Sequence, residues 1–334
     1  MASGFGISRR TILYGACSTV AAFPVRAAEA KEVTIAVSST SFVLAGMLMA
    51  QQSGIFEKNG VKPRIVVMDS GNAAISALLG GSAQFTVAGP PEVLAARTRG
   101  QPIVIVANLY QGLAGSLILS KATAGKLGSR ADAPIDERLK ALNGLTIAVP
   151  SATSSLLGPV RTAAVAAGAQ IKFTYMAQPA MPAALESGAI DGMIASFPFA
   201  GTPILRGTGV LWINGPGGEL PADAEPSSSS CLQTSEQFAK AEPDTISRLQ
   251  KTIADTAVFV KQHSAEAKAA LAKAYPALKP EEIELAFDQQ HDNWTKPFLT
   301  EADLRQEVKL LRGSVNLPGL DTIDLSTLLI GPRS

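Results

Sequence analysis

Six short stretches of this sequence have the make-up of a small-molecule site. They are Ser38-Ser39-Thr40, Ser70-Gly71-Asn72, Gly89-Pro90-Pro91, Tyr110, Ser151-Ala152-Thr153-Ser154 and Phe197-Pro198-Phe199. Each follows an apolar, β-prone run, at the place where a strand would end. In open parallel sheets, ligands bind beyond the carboxyl ends of the strands. Hydroxyls and free backbone N–H groups at strand-to-helix corners suit a carboxylate, a sulfonate or a similar anion. Phe42, Tyr110, Phe197 and Phe199 are candidates for apolar walls. No Arg or Lys lies in these stretches, which favours a monoanion or a neutral, partly aromatic compound over a phosphate ester. A plainer reading stands beside each residue. Ser39, Ser70 and Ser151 occupy positions where simple helix N-caps belong. Gly71 and Gly89 fit tight turns, and Phe42 fits a core. Tyr110 follows an apolar strand and carries a polar tip, which favours the cleft. Pro198 interrupts the regular strand that would point Phe197 and Phe199 the same way. The candidate ligand-binding set is Ser38, Ser39, Thr40, Ser70, Gly71, Asn72, Gly89, Pro90, Tyr110, Ser151, Thr153, Ser154 and Phe197.

Catalytic chemistry finds little to work with. The only two histidines, His263 and His291, fall in a helical C-terminal region and lack a metal-binding spacing. No nucleophile elbow, phosphate-binding loop or dinucleotide fingerprint occurs. Cys231 has no neighbouring His and reads as a buried strand cysteine. No catalytic residue, metal site or cofactor is implied.

The elements that would position these stretches repeat. Thr34-Ile35-Ala36-Val37-Ser38-Ser39 returns as Thr146-Ile147-Ala148-Val149-Pro150-Ser151. Later in each half a helix runs to a glycine, turns on a polar residue and enters an apolar strand. The first instance runs through Gly81 to Phe85, the second through Gly188 to Met193. Gly81 and Gly188 stand where a helix C-terminus takes positive φ. Strands are expected at 33–37, 64–68, 85–88 and 103–108, and again at 146–149, 172–176, 193–195 and 210–213. Segments 117–120 and 230–233 look like strands connecting the halves. Alternating strands and helices imply parallel sheets covered on both faces. From about Ser235 the pattern becomes helical, with an amphipathic stretch at 244–263 and further helices at 265–274, 279–289 and 300–312.

Composition bounds the class. The chain has 334 residues, room for two domains of ordinary size, with 17% charged residues and a net charge of +1. No basic block is present, so nucleic acid is not an expected partner. Residues 1–30 read as an export signal: Ser8-Arg9-Arg10-Thr11-Ile12-Leu13 is a twin-arginine pattern. It precedes an apolar stretch too short to span a bilayer and a small-x-small cleavage site at Ala28-Glu29-Ala30. A lipoprotein anchor at Cys17 is the weaker alternative. Removing this segment takes three arginines and one glutamate from 29 basic and 28 acidic residues, leaving a net charge of −1. It also leaves Cys231 alone, so no intramolecular disulfide is expected.

Several phrases together resemble one family. Ala45-Gly46-Met47, Gly54-Ile55-Phe56-Glu57-Lys58-Asn59-Gly60-Val61, Leu142-Asn143-Gly144-Leu145, Ala184-Leu185…Gly188…Ile190-Asp191 and Phe238…Glu242-Pro243…Ile246 occur in an order similar to that of the nitrate/sulfonate/taurine-type solute-binding proteins, a group that includes binders of thiamine-pyrimidine precursors. The resemblance covers nearly the whole chain after residue 30. It implies an α/β, two-lobed type II periplasmic-binding-protein fold with a hinge and C-terminal helices. Lobe 1 would take 31–114 plus 246–334 and lobe 2 would take 115–245. It implies a monomeric receptor in the periplasm that captures a small organic anion or a small aromatic or heterocyclic solute. An ABC permease in the inner membrane would be its transient partner. An exported module feeding a sensor, or an enzyme on the same fold, are the alternatives.

Overall fold

The computed structural model describes residues 1–3, 30–68 and 71–331. The expected export signal and Ser70 lie outside them. Among the described residues there are ten strands: β1 (Lys31–Val37), β2 (Val61–Val67), β3 (Phe85–Ala88), β4 (Ile103–Gln111), β5 (Gly115–Ser120), β6 (Thr146–Val149), β7 (Lys172–Tyr175), β8 (Gly192–Ser196), β9 (Gly209–Ile213) and β10 (Ser228–Ser235). They form two five-stranded sheets, ordered β2-β1-β3-β10-β4 and β7-β6-β8-β5-β9. The second order is the first with each strand replaced by its sequence counterpart, so the duplication read in the sequence is a duplication of lobes. Central strands such as β3, β5 and β8 are buried along their whole length and mostly apolar, as helix-covered strands tend to be. Edge strand β2 tolerates Pro63, which could not serve a central ladder.

The sheets are mixed rather than purely parallel. β5 runs antiparallel to β8 and β9, and β10 antiparallel to β3 and β4. The chain leaves the first sheet at the carboxyl end of β4 and enters the second at the carboxyl end of β8, where Gly115 pairs with Ser196. It can then only run backward. The return is the mirror case, with Ser228 opposite Gln111, the last residue of β4. The return to the first sheet therefore precedes residue 228, earlier than the expected division at 245. Because both crossings join carboxyl ends, the strand-end loops of the two sheets face each other.

Local chemistry fixes the turns and caps. Gly81 and Gly188 end their helices at φ of 75° and 77°, where other residues pay a steric penalty. Ser235 caps the helix Glu236–Ala241 by accepting from the Phe238 amide, and Thr300 forms a capping box with Asp303. The C-terminal helices pack mainly on the first lobe, but Glu301–Arg312 touches both Pro90–Arg97 of the first lobe and Leu157–Ala166 of the second. One buried cluster, containing Phe42, Tyr110, Leu119, Val149, Trp212 and Trp294, spans both lobes.

Candidate functional site

Where the strand ends meet, a cavity of about 50 Å³ is lined by Ser38, Ser39, Val43, Gly71, Val87, Ala88, Gly89, Glu92, Ser229 and Ser230 from the first lobe. Pro150, Ser151, Ser154, Ser155, Leu156, Ala177, Gln178 and Ser196 from the second complete it. A space of this size holds a few water molecules or a small solute. The two walls touch. The Ser155 hydroxyl donates to the Ser229 carbonyl at 2.8 Å, and the Phe42 amide donates to the Phe197 carbonyl at 2.8 Å. At Gly89 a Cβ would lie 2.8 Å from the Ser155 Cβ and 2.7 Å from Glu92 Oε2. Only glycine lets this turn approach the opposite lobe so closely.

Of the expected site residues, Ser38, Ser39, Gly71, Gly89, Ser151 and Ser154 line the cavity. Two of these hydroxyls also organise backbone: Ser39 Oγ accepts from the Ser41 amide at 3.0 Å and Ser154 Oγ from the Leu156 amide at 3.3 Å. Thr40 and Asn72 are exposed, Pro90 is buried in the helix start and Thr153 is half-buried, and none of the four lines the cavity. Tyr110 is not a cleft residue. It is fully buried, donates to Gln290 Oε1 at 2.9 Å and packs edge-on against Trp294. Its polar tip found a partner inside the core, which the sequence spacing could not reveal. Phe197 packs against Phe42 with ring centroids 4.8 Å apart and does not line the cavity. Arg97 and Arg161 are turned away as well. Arg97 pairs with Glu236, and Arg161 donates to the Ser314 carbonyl and lies over the Phe173 ring.

Sequence reasoning missed Glu92, Ser155, Gln178, Ser196, Ser229 and Ser230. The Ser227–Ser230 run was a signal: four serines entering a strand between sheets expose hydroxyls at the crossing. Gln178 is buried, and its Oε1 accepts from the Ser196 amide at 2.7 Å. Among the described residues, Glu92 is the one ionisable residue of the wall. It is 6% exposed, and Oε2 has no hydrogen-bond partner. Burial raises its carboxyl to about 8, helped by the charge of Glu307, while the amides of Glu92 and Gly89 pull the other way. Glu307, buried on the helix Glu301–Arg312, is likewise raised to about 8 by burial, although it accepts from the amides of Ser227 and Ser228 at 2.7 and 3.1 Å. Cys231 is buried beside Ala88, its thiol pushed up by burial. His263 is exposed and His291 stacks on Phe287, both remote from the cavity.

A model of the NMT1-like family matches residues 26–275. No curated protein matches the sequence. Among solved structures, the alkanesulfonate-binding protein SsuA from Xanthomonas axonopodis pv. citri bound to MOPS aligns with a TM-score of 0.71 at 18% identity, covering 91% of this chain and 99% of that one. The periplasmic aliphatic sulphonate binding protein SsuA from Escherichia coli gives 0.63 at 18% identity, covering 89% and 98%. The periplasmic nitrate-binding protein NrtA from Synechocystis PCC 6803 gives 0.64 at 14% identity, covering 90% and 87%. The fold is thus that of the periplasmic binding proteins, as the sequence resemblance implied.

Proposed function

The chain belongs to the NMT1-like family, and from that premise we propose that it is the extracytoplasmic solute-binding protein of an ABC importer. The observation that carries the reading is the cavity itself, walled by strand-end loops of both lobes. Such a site binds by being closed upon. A solute touching both walls has higher affinity for the closed state and shifts the population toward it. The closed pair of lobe surfaces is then what an inner-membrane permease recognises. Export by the twin-arginine route to the periplasm and a monomeric free receptor complete the proposal, supported by the Arg9-Arg10 segment and its short apolar stretch.

Thermal unfolding of residues 31–334 against a panel of nitrate, sulfonates, taurine, carboxylates, amines and pyrimidines tests it. A solute at about 100 times its Kd raises stability by roughly 2.7 kcal/mol, seen as a higher midpoint. One chemical class shifting the midpoint, with the solute recovered unchanged, supports a receptor. Chemical conversion of the solute would sink the reading in favour of an enzyme.

A further inference from the structure

The carboxyl group of Glu92 forms part of the cavity wall, is buried, and has an oxygen without a partner. We propose that the solute carries a protonated nitrogen, an ammonium or amidinium, and that Glu92 receives it as a carboxylate. This deepens the solute-binding reading and rests on it.

Three observations point the same way. First, among the described residues no Lys, Arg or His lines the cavity, so no side-chain cation there neutralises an anion removed from water. Second, the helix corner at Gly89 is a poor anion cradle. Its first two residues, Pro90 and Pro91, have no N–H to offer, and its positive end already faces the Glu92 side chain in the first turn. Third, part of the hydroxyl wall is turned to accept. Ser155 donates its one proton to the Ser229 carbonyl, and Ser230 to the Val43 carbonyl at 3.0 Å. A hydroxyl that has donated its proton presents only lone pairs. A buried carboxyl among oxygen acceptors is the complement of an N–H-bearing cation.

The proton balance follows. In the empty cavity near neutral pH the Glu92 carboxyl holds its proton, since burial raises it to about 8. Taking up the cation releases that proton to solvent. Among the described residues, the other titratable groups close by are Glu307 and Cys231, both raised in the same direction.

Isothermal titration of the mature chain decides the matter, using matched series of alkyl- and arylammonium and amidinium ions against alkyl- and arylsulfonates, carboxylates and nitrate. The expected result is binding of cations and not of anions. Affinity should weaken on the order of tenfold per pH unit below about 8. Glu92→Gln should lose roughly 10–100-fold in affinity and lose the pH slope, with its unfolding midpoint retained. Glu92→Ala is the second variant if the amide fails to fold. Anions binding while cations do not would overturn this inference and leave the receptor reading standing. A pH slope surviving in Glu92→Gln would assign the proton to another group and overturn it too. Neither series binding would overturn this inference and leave the receptor reading to the wider panel, pyrimidines included.

Discussion

Serine oxygens make up much of the cavity wall, and the single carboxyl among them sets its electrostatics. Two predictions belong to individual residues. Gly89→Ala places a Cβ within 2.8 Å of Ser155 and against Glu92, so the lobes must part. A cost of about 1–3 kcal/mol from overpacking, with solute binding lost, should appear in denaturant melts and titrations. A fully binding Gly89→Ala protein would mean the lobes do not close at this turn. The second concerns pH. Glu92 and Glu307 hold their protons to about 8 in the native state, against 4.5 for an unperturbed glutamate. Between those values the native protein binds more protons than the unfolded chain, so stability falls as pH rises and levels off above about 8. The unfolding midpoint should decline from pH 5 to pH 8, and less steeply in Glu92→Gln. An equal slope in that variant would show that Glu92 is not the group.

At the scale of elements, the hinge depends on carboxyl groups whose oxygens hold backbone. Glu307 takes the amides of Ser227 and Ser228 where the second crossing enters β10, and Glu225 Oε1 takes the Leu113 amide in the first crossing at 3.2 Å. Glu307→Ala strands two amides, at about 1–3 kcal/mol for each one left buried without a partner. Glu307→Gln keeps an accepting oxygen and should be much milder. Urea unfolding of the two variants measures the difference, and equal losses would point to packing rather than hydrogen bonding.

For the whole molecule, contact between the lobes combines a shared buried cluster with hydrogen bonds across the cavity. The Ser155–Ser229 bond at 2.8 Å joins the two cavity walls directly. Ser155→Ala should shift the population toward an open form and weaken solute affinity by a few-fold, in line with a net hydrogen bond of about 1 kcal/mol. Small-angle scattering should show a smaller radius of gyration on solute addition in the unaltered protein. Unchanged scattering at saturation would argue that the cleft does not hinge.

The sequence by itself determined the repeated strand-helix order, the positions of most strands, the positive-φ glycines 81 and 188, and the late helices. These are local properties: hydrophobic period, turn chemistry and capping, all carried by neighbouring residues. It also placed Ser38, Ser39, Gly71, Gly89, Ser151 and Ser154 at strand ends, because strand ends are where such loops begin. Tertiary structure alone decided that β5 and β10 enter the opposite sheets backward, that Tyr110 finds Gln290 far along the chain, and that Glu92 faces serines of both the crossing strand and the other lobe. Each depends on contacts between residues distant in sequence. A carboxyl in the first turn of a helix reads as an ordinary dipole partner until a second lobe closes over it and removes the water.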